Sequence, residues 1–314
     1  MFNKSHTIWN EKYRPETLET YVGNPTVKET FAQYIKTNDV PHLLLHGDAG
    51  SGKTTLAKIV ANSIAKDNYI YINASDENSV DTVRDKIKQF ASSIGFGGLK
   101  LIILDESDYL TPNAQAALRN VIETFSKTTR FILTCNYVEK IIDPIQSRCQ
   151  IFNIVPPSKK EVAQHLVTIL ESEGVKYDKE NLVSIINSNY PDIRRVINTT
   201  QRCVINGNLK LDESTLVETN YFSTIVDLLK SNKNKKEKFE GIRQILADNH
   251  ARDFNQLFRY LYDNVDSYAS GFVSTIILII AETQYKDSFV VDHEINAMAM
   301  FIQIIMEIEQ RRKG

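Results

Sequence analysis

The chain has 314 residues, 42% hydrophobic and 24% charged, with a formal net charge of -2. That length allows two or three domains with a sizeable core, and the composition is that of an ordinary globular protein. With so little net charge, any contact with nucleic acid must come from a local basic patch and not from the whole surface. Cys135, Cys149 and Cys203 are odd in number and far apart. They offer neither metal-ligand spacing nor a disulfide framework, and a reducing, cytoplasmic setting is expected. The N-terminal string "MFNKSHTIWNEKYRP" has no apolar stretch of signal-peptide length. The longest greasy run, 272–281, is too short to span a bilayer and is expected to form a buried helix, so no membrane partner is expected.

Taken in chain order, residues 42–154 alternate strand and helix patterns. Strands are expected at 42–46, 69–73, 99–106, 130–136 and 150–155, and helices at 56–65, 80–94 and 113–125. Continuous apolar strands alternating with helices imply an α/β domain with a parallel sheet covered on both faces. At "PPSKKE", 156–161, two prolines break the chain and Ser158 can cap a helix. Beyond it only helices are expected, at about 159–173, 179–188, 192–206 and 212–218. The lysine-rich "KSNKNKKEK", 230–238, is expected as a solvated connection, followed by helices over 239–311. The expected layout is an α/β nucleotide-binding domain over 1–155, a small helical domain over 156–218 and an all-α domain over 219–314.

"GDAGSGKTT", 47–55, matches the phosphate-binding loop pattern and has a strand before it and a helix after it. The glycines, with Gly50 and Gly52 flanking Ser51, let backbone N–H groups curl around phosphate oxygens, and the helix N-terminus adds its dipole. In that pattern Lys53 reaches the β- and γ-phosphates and Thr54 puts its hydroxyl on magnesium, with Thr55 next to it. The strand "LIILDE" ends in Asp105, placed to hold the metal, and Glu106, placed to polarise an attacking water. Asn136 ends the next strand, where an amide either orients that water or simply turns the chain. ATP and Mg2+ are the expected ligands.

"WNEKYRPETLETYVG", "GDAGSGKTT", "LIILDESD", "LTCN", "IQSRC" and "PDIRRVIN" follow one another in this order. Taken together they resemble clamp-loader ATPases of the AAA+ class: the replication factor C small subunits and, in size, the large clamp-loader subunit of T-even-like phages. The resemblance covers about residues 8–205 and implies several roles. Glu11, Lys12, Tyr13 and Arg14 would line the adenine and ribose side, with Val22 against the base. Asn136 would be a first γ-phosphate sensor, Arg194 a second one on the helical lid, and Arg148 a finger reaching a neighbouring subunit's ATP. Family members commonly carry "GPPGTGKT" and "DEAD" where this chain has "GDAGSGKT" and "DESD", and Pro191 stands where glycine is usual. None of these changes removes a catalytic group.

The resemblance also implies partners: a sliding clamp, primer–template DNA, and other loader subunits in a pentameric spiral of several like copies plus one different subunit. Read from the residues alone, Arg84 and Lys88 form a solvated helical face. In related loaders that helix turns toward the DNA backbone, and the N-terminus of the next helix, near Thr111 and Asn113, offers N–H groups to a phosphate. Ile94 and Phe96 lie among glycines, either as core packing or as an apolar plug for the clamp. The expected function is ATP-driven clamp loading. A branch-migration motor of the same fold and a non-hydrolysing nucleotide switch stand as alternatives.

Overall fold

The five expected strands form one parallel sheet. They are β1 (Leu43–His46), β2 (Tyr69–Asn73), β3 (Lys100–Asp105), β4 (Thr129–Cys135) and β5 (Gln150–Asn153), in the spatial order β2-β3-β4-β1-β5. The computed structural model describes residues 7–66, 68–93, 98–211, 213–249, 251 and 254–313, without the side chains of 82–84, 213–220 and 312–313. The chain divides into two compact units, Met1–Lys210 and Leu211–Gly314.

In the first unit the uninterrupted apolar strands have a simple cause. Successive side chains point to opposite faces of a sheet, and here both faces are covered. Leu101 and Ile103 join Leu43, Leu45 and Ile132 in one core, with Leu56, Ile59 and Phe31 over them. Ile102 and Leu104 join Leu44, Phe131 and Leu133 in the other, with Leu118 and Ile122. The helices are α1 (Trp9–Lys12), α2 (Pro25–Thr37), α3 (Lys53–Ile64), α4 (Val80–Thr82), α5 (Lys88–Ser92), α6 (Pro112–Phe125), α7 (Asp143–Gln146), α8 (Lys159–Ser172), α9 (Lys179–Asn189) and α10 (Ile193–Arg202). Ser158 caps α8 as expected, in a reciprocal capping box with Glu161. Because all five strands are parallel, their carboxyl ends lie along one edge. That edge is where ligands bind in open α/β sheets.

Two expectations for this unit are corrected. The continuous helix over 80–94 is interrupted by a π-helical turn, Val83–Ile87, between α4 and α5. The helix over 192–206 stops at Arg202, and β6 (Val204–Ile205) pairs antiparallel with β7 (Asn208–Leu209). Asn206 and Gly207 turn that hairpin with φ of 50° and 71°. This is the left-handed pair that Asn-Gly supplies in two-residue hairpins, so the signal was present in the string "INGN".

The second unit is helical, as expected: α11 (Glu213–Lys230), α12 (Lys235–Asp248), α13 (Asn255–Asp263), α14 (Val265–Tyr268), α15 (Val273–Asp287) and α16 (His293–Lys313). Here the lysine-rich connection is corrected. Asn234 and Glu237 form a capping box, so α12 begins inside the run. One lysine of that helix turns inward: Lys238 is fully buried, with Glu309 3.5 Å from its ammonium. The greasy run is helical from Val273, with Ile276 and Ile280 buried, while Leu278 on the other face is 70% exposed. No helix among the described residues is long and apolar enough to cross a membrane.

His42 leads into β1 and ties it to both neighbouring strands. Its Nδ1 accepts the Phe131 N–H at 3.1 Å, and its carbonyl accepts the Gln150 N–H at 2.7 Å. Burial, aided by the Arg130 charge, pushes the imidazole down to about 4 from an ordinary 6.5. The fold therefore favours the neutral ring. This contribution is present above pH 6.5 and is lost as pH falls toward 4. Urea unfolding at pH 7 and pH 5 should show a loss on the order of 1 kcal/mol, discounted for solvent screening, which His42→Asn removes. An unchanged pH slope in the variant would sink the assignment.

Candidate functional site

The loop between β1 and α3 is shaped by glycine. Gly50 and Gly52 adopt φ of 75° and 97°, in the left-handed region that side chains disfavour. Helix α3 starts at Lys53 with no side-chain cap, so the open N–H groups of its first turn face the loop. Ser51 is 2% exposed, and its hydroxyl has no partner among the described residues. An anion at this helix end would meet open donors and the positive end of the helix dipole, so a polyphosphate fits the donor set.

Lys53 is buried, and its ammonium donates to the carbonyls of Gly47 and Asp48, both at 2.8 Å, and to Asn136 Oδ1 at 2.9 Å. All three acceptors are neutral. Burial lowers the lysine pKa from its ordinary value, against weaker raising effects that include Asp105, Asp108 and Asp48. A desolvated cation with neutral partners is poised for an anionic ligand. Through Asn136 it also joins the end of β4 to the loop after β1.

Asp105 ends β3, buried, with hydroxyls around its carboxylate. Thr54 Oγ1 donates to Oδ1 at 2.7 Å, Thr134 also donates to Oδ1, and the Tyr71 hydroxyl donates to Oδ2 at 2.7 Å. Glu106 follows at φ 54°, an unusual conformation for a non-glycine residue, and its N–H donates to Thr134 Oγ1 at 3.1 Å. Among the described residues no three of His, Cys, Asp and Glu cluster as a metal cage. The Thr54–Asp105 oxygen pair fits magnesium, which is usually held by one or two protein oxygens together with substrate phosphates and water. Asp108 Oδ2 accepts the N–H groups of Asn136 and Tyr137, both at 3.3 Å, and so fixes the turn that presents Asn136. Burial pushes the neighbouring Cys135 thiol up to about 12, which keeps it protonated.

These groups open into a cleft that runs from the phosphate loop to the start of α10. Gly50, Ser51, Gly52, Lys53, Thr54, Thr55, Asp105, Glu106 and Asn136 line one end, and Tyr13, Arg14, Val22, His165 and Arg194 line the rest. Burial lowers the His165 pKa, so its ring is neutral near pH 7. Glu11 and Lys12 turn elsewhere: Glu11 pairs with Arg14 at 2.7 Å and Lys12 with Glu173 at 2.5 Å. The N-terminal segment is tied to α10, because Asn10 Nδ2 donates to the Arg194 carbonyl and Trp9 N–H to Gln201 Oε1, each at 3.0 Å. At the start of α10, Asp192 lies against the phosphate loop. A Cβ added at Gly50 would sit 2.0 Å from its Oδ1.

Arg148 does not line this cleft. It follows α7, donates to the Pro144 carbonyl at 2.6 Å and pairs with Glu123 on α6. Lys88 and Asn113 line one shallow groove with Arg119 and Asn120. Thr111 caps α6 by accepting the Ala114 N–H at 3.2 Å, and Pro112 has no N–H. That leaves the Asn113 N–H as a first-turn donor without a partner among the described residues. The Arg84 side chain, Ile94 and Phe96 lie outside the described residues. Sequence reasoning missed Tyr71, Thr134 and Asp108. Asp108 is the last letter of "DESD" and Thr134 lies inside "LTCN", so both were within reach. Tyr71 carried no signal.

The five-stranded order and the P-loop cleft define an AAA-type ATPase, and residues 43–157 match the ATPase family associated with various cellular activities (AAA). A replication factor C small subunit from Methanoculleus marisnigri is 36% identical over 98% of this chain and 99% of its own, and one from Sulfurisphaera tokodaii is 32% identical over 98% of each. A third, from Halobacterium salinarum, is 45% identical over 66% of each chain. The chain belongs to the replication factor C small subunit family. Among solved structures, the Thermotoga maritima RuvB Holliday junction branch migration motor superposes with a TM-score of 0.55, covering 80% of this chain and 91% of that one. At 17% identity this likeness concerns the fold alone.

Gly50→Ala should strain the loop and push against Asp192. A forced left-handed residue costs about 1–3 kcal/mol, so nucleotide affinity should fall roughly tenfold. Titration with a fluorescent nucleotide checks this, with circular dichroism confirming the fold. Unchanged affinity would mean that the loop does not close on phosphate in this conformation.

Proposed function

We propose that this chain is the ATPase subunit of a sliding-clamp loader, binding ATP with Mg2+ and acting in an assembly with a ring-shaped clamp and primer–template DNA. The observation that carries the proposal is the convergence of Lys53, Thr54, Asp105 and Asn136 at the carboxyl ends of adjacent strands, in a chain matching replication factor C small subunits over nearly its full length.

In the proposed reaction water attacks the γ-phosphorus: a P–O bond forms, the bond to the β-phosphate oxygen and one water O–H bond break, and ADP, inorganic phosphate and a proton are released. Lys53 exchanges its carbonyl partners for phosphate oxygens and neutralises them. Glu106 polarises the water, and Asn136, held by Asp108, orients it against the γ-phosphate. Arg194 reaches the phosphates from the lid helix. Thr54 and Asp105 would hold Mg2+, which would supply positive charge to offset what develops on the phosphates. Tyr13, Arg14 and Val22 form the base and ribose side, with Glu11 and Lys12 supporting them through Arg14 and Glu173.

Arg148 acts in trans. It lies outside its own cleft, and among the described residues its guanidinium is held by the Pro144 carbonyl, the Ser147 hydroxyl and Glu123, partners it can leave for a neighbour's phosphate. The layout of 1–155, 156–218 and 219–314 then serves as motor, lid and collar. Exposed apolar side chains on the collar, among them Leu278, Tyr285 and Phe289 at 70–73% exposure, suit packing against sister subunits. Lys88 and the Asn113 N–H, with Arg84 and the N-terminal turn at Thr111, form the DNA face, and Ile94 and Phe96 meet the clamp.

The test is ATP turnover of the assembled complex with primed DNA and clamp. Arg148→Ala and Glu106→Gln should each lower turnover by about 10³-fold or more. Mixing the two variants should recover part of it, since one chain supplies the finger and the other the water-polarising acid. Zero turnover of the native complex would instead favour a non-hydrolysing switch. On the DNA face, affinity for primed duplex should fall steeply with salt, and Lys88→Ala should reduce the log–log slope by about 1 without changing base preference. A slope unchanged by Lys88→Ala would remove that residue from the interface.

A further inference from the structure

We propose that Tyr71 and Thr134 are positioning residues that hold the Asp105 carboxylate from outside its metal-facing side, one hydroxyl on each oxygen. The inference rests on Thr54 and Asp105 being the protein's side of a Mg2+–ATP site.

Asp105 lies on β3 between two neighbours, β2 and β4, and each contributes one of these hydroxyls. Tyr71 stands opposite Ile103, two residues before the acid, and its long side chain reaches forward to Oδ2 at 2.7 Å. Thr134 on β4 donates to Oδ1. An ionised carboxylate only accepts, so both hydroxyl protons are committed to it. Thr134 is committed a second way: its oxygen already accepts the Glu106 N–H at 3.1 Å, so its one proton is directed at Asp105. A single buried hydroxyl therefore fixes Asp105 by its side chain and Glu106 by its backbone.

The third hydroxyl, Thr54, also bonds Oδ1, at 2.7 Å. In a P-loop this hydroxyl goes to the metal, so its bond to Asp105 is the one that metal binding exchanges. Tyr71 and Thr134 then remain to set the plane of the carboxylate. Tyr71 is 41% exposed, so burial alone does not hold its ring. The Lys58 ammonium stands 4.4 Å from the ring centroid and braces it from α3. Loss of outer partners of this kind lowers metal affinity by 10–100-fold in other sites, because the ligand must then be oriented at the moment of binding.

The experiment uses the full chain, with Mn2+ as a paramagnetic probe of the metal position. Electron paramagnetic resonance measures Mn2+ affinity in the presence of ADP, and a fluorescent nucleotide measures binding in EDTA. Tyr71→Phe and Thr134→Val should each weaken nucleotide-linked Mn2+ binding about tenfold. Thr134→Ser should restore it, and nucleotide affinity in EDTA should be unchanged in all three. Native Mn2+ affinity in both Tyr71→Phe and Thr134→Val overturns the proposal while leaving the ATP site intact. Equal losses of nucleotide affinity with and without metal also overturn it, since the residues would then support only the fold. A native chain with no nucleotide-linked Mn2+ signal would overturn the metal site itself, and this proposal with it.

Discussion

The site is organised around a positive charge held in a poorly solvated place with no ion-pair partner among the described residues. Lys53 is buried, and its ammonium rests on two carbonyls of its own loop and on the Asn136 amide. Neutral dipoles can hold an ammonium, but they do not cancel its charge, and a phosphate would. The loop has features that admit one: left-handed glycines, a helix start without a side-chain cap, and a Ser51 hydroxyl with no partner among the described residues.

Around that charge the parallel sheet places its remaining chemistry. Lys53, Asp105 and Asn136 come from three separate stretches of chain, and only the β3-β4-β1 adjacency brings them together. Each is then fixed by a neighbour: Asn136 by Asp108, Asp105 by Thr134 and Tyr71, and the Glu106 backbone by Thr134. Glu106 itself stands in the left-handed region, with its N–H held by the Thr134 hydroxyl. On the lid side, Asp192 closes against Gly50, and Asn10 ties the N-terminal segment to the Arg194 carbonyl. The N-terminal segment and α10, which carries Arg194, are thus joined by short polar contacts. Arg148 stands apart from all of this, with Glu123 as its counter-ion.

Much of this was legible in the sequence, because strong local signals and tertiary need agree there. The strand 69–73 has the expected bounds, the P-loop has its strand and helix, and Ser158 caps as its capping box demands. Where the two part, the reason is tertiary. Lysine is usually solvated, yet a helix starting at Lys235 carries one of its lysines into the core. At "ING" the Asn-Gly turn ends the helical run, and β6 and β7 pair across it. The π-helical turn at Val83–Ile87 leaves no compositional mark.

The sequence by itself determined the fold class, the phosphate loop and the order of the acidic and amide groups. These depend on residues adjacent in the chain, where spacing and chemistry can be read together. Only the tertiary structure decided which side chains support them. Tyr71 holds Asp105 from 34 residues away, and Glu123 pairs with Arg148 from 25 away. No local pattern records such pairs, because strand order and helix packing bring them together.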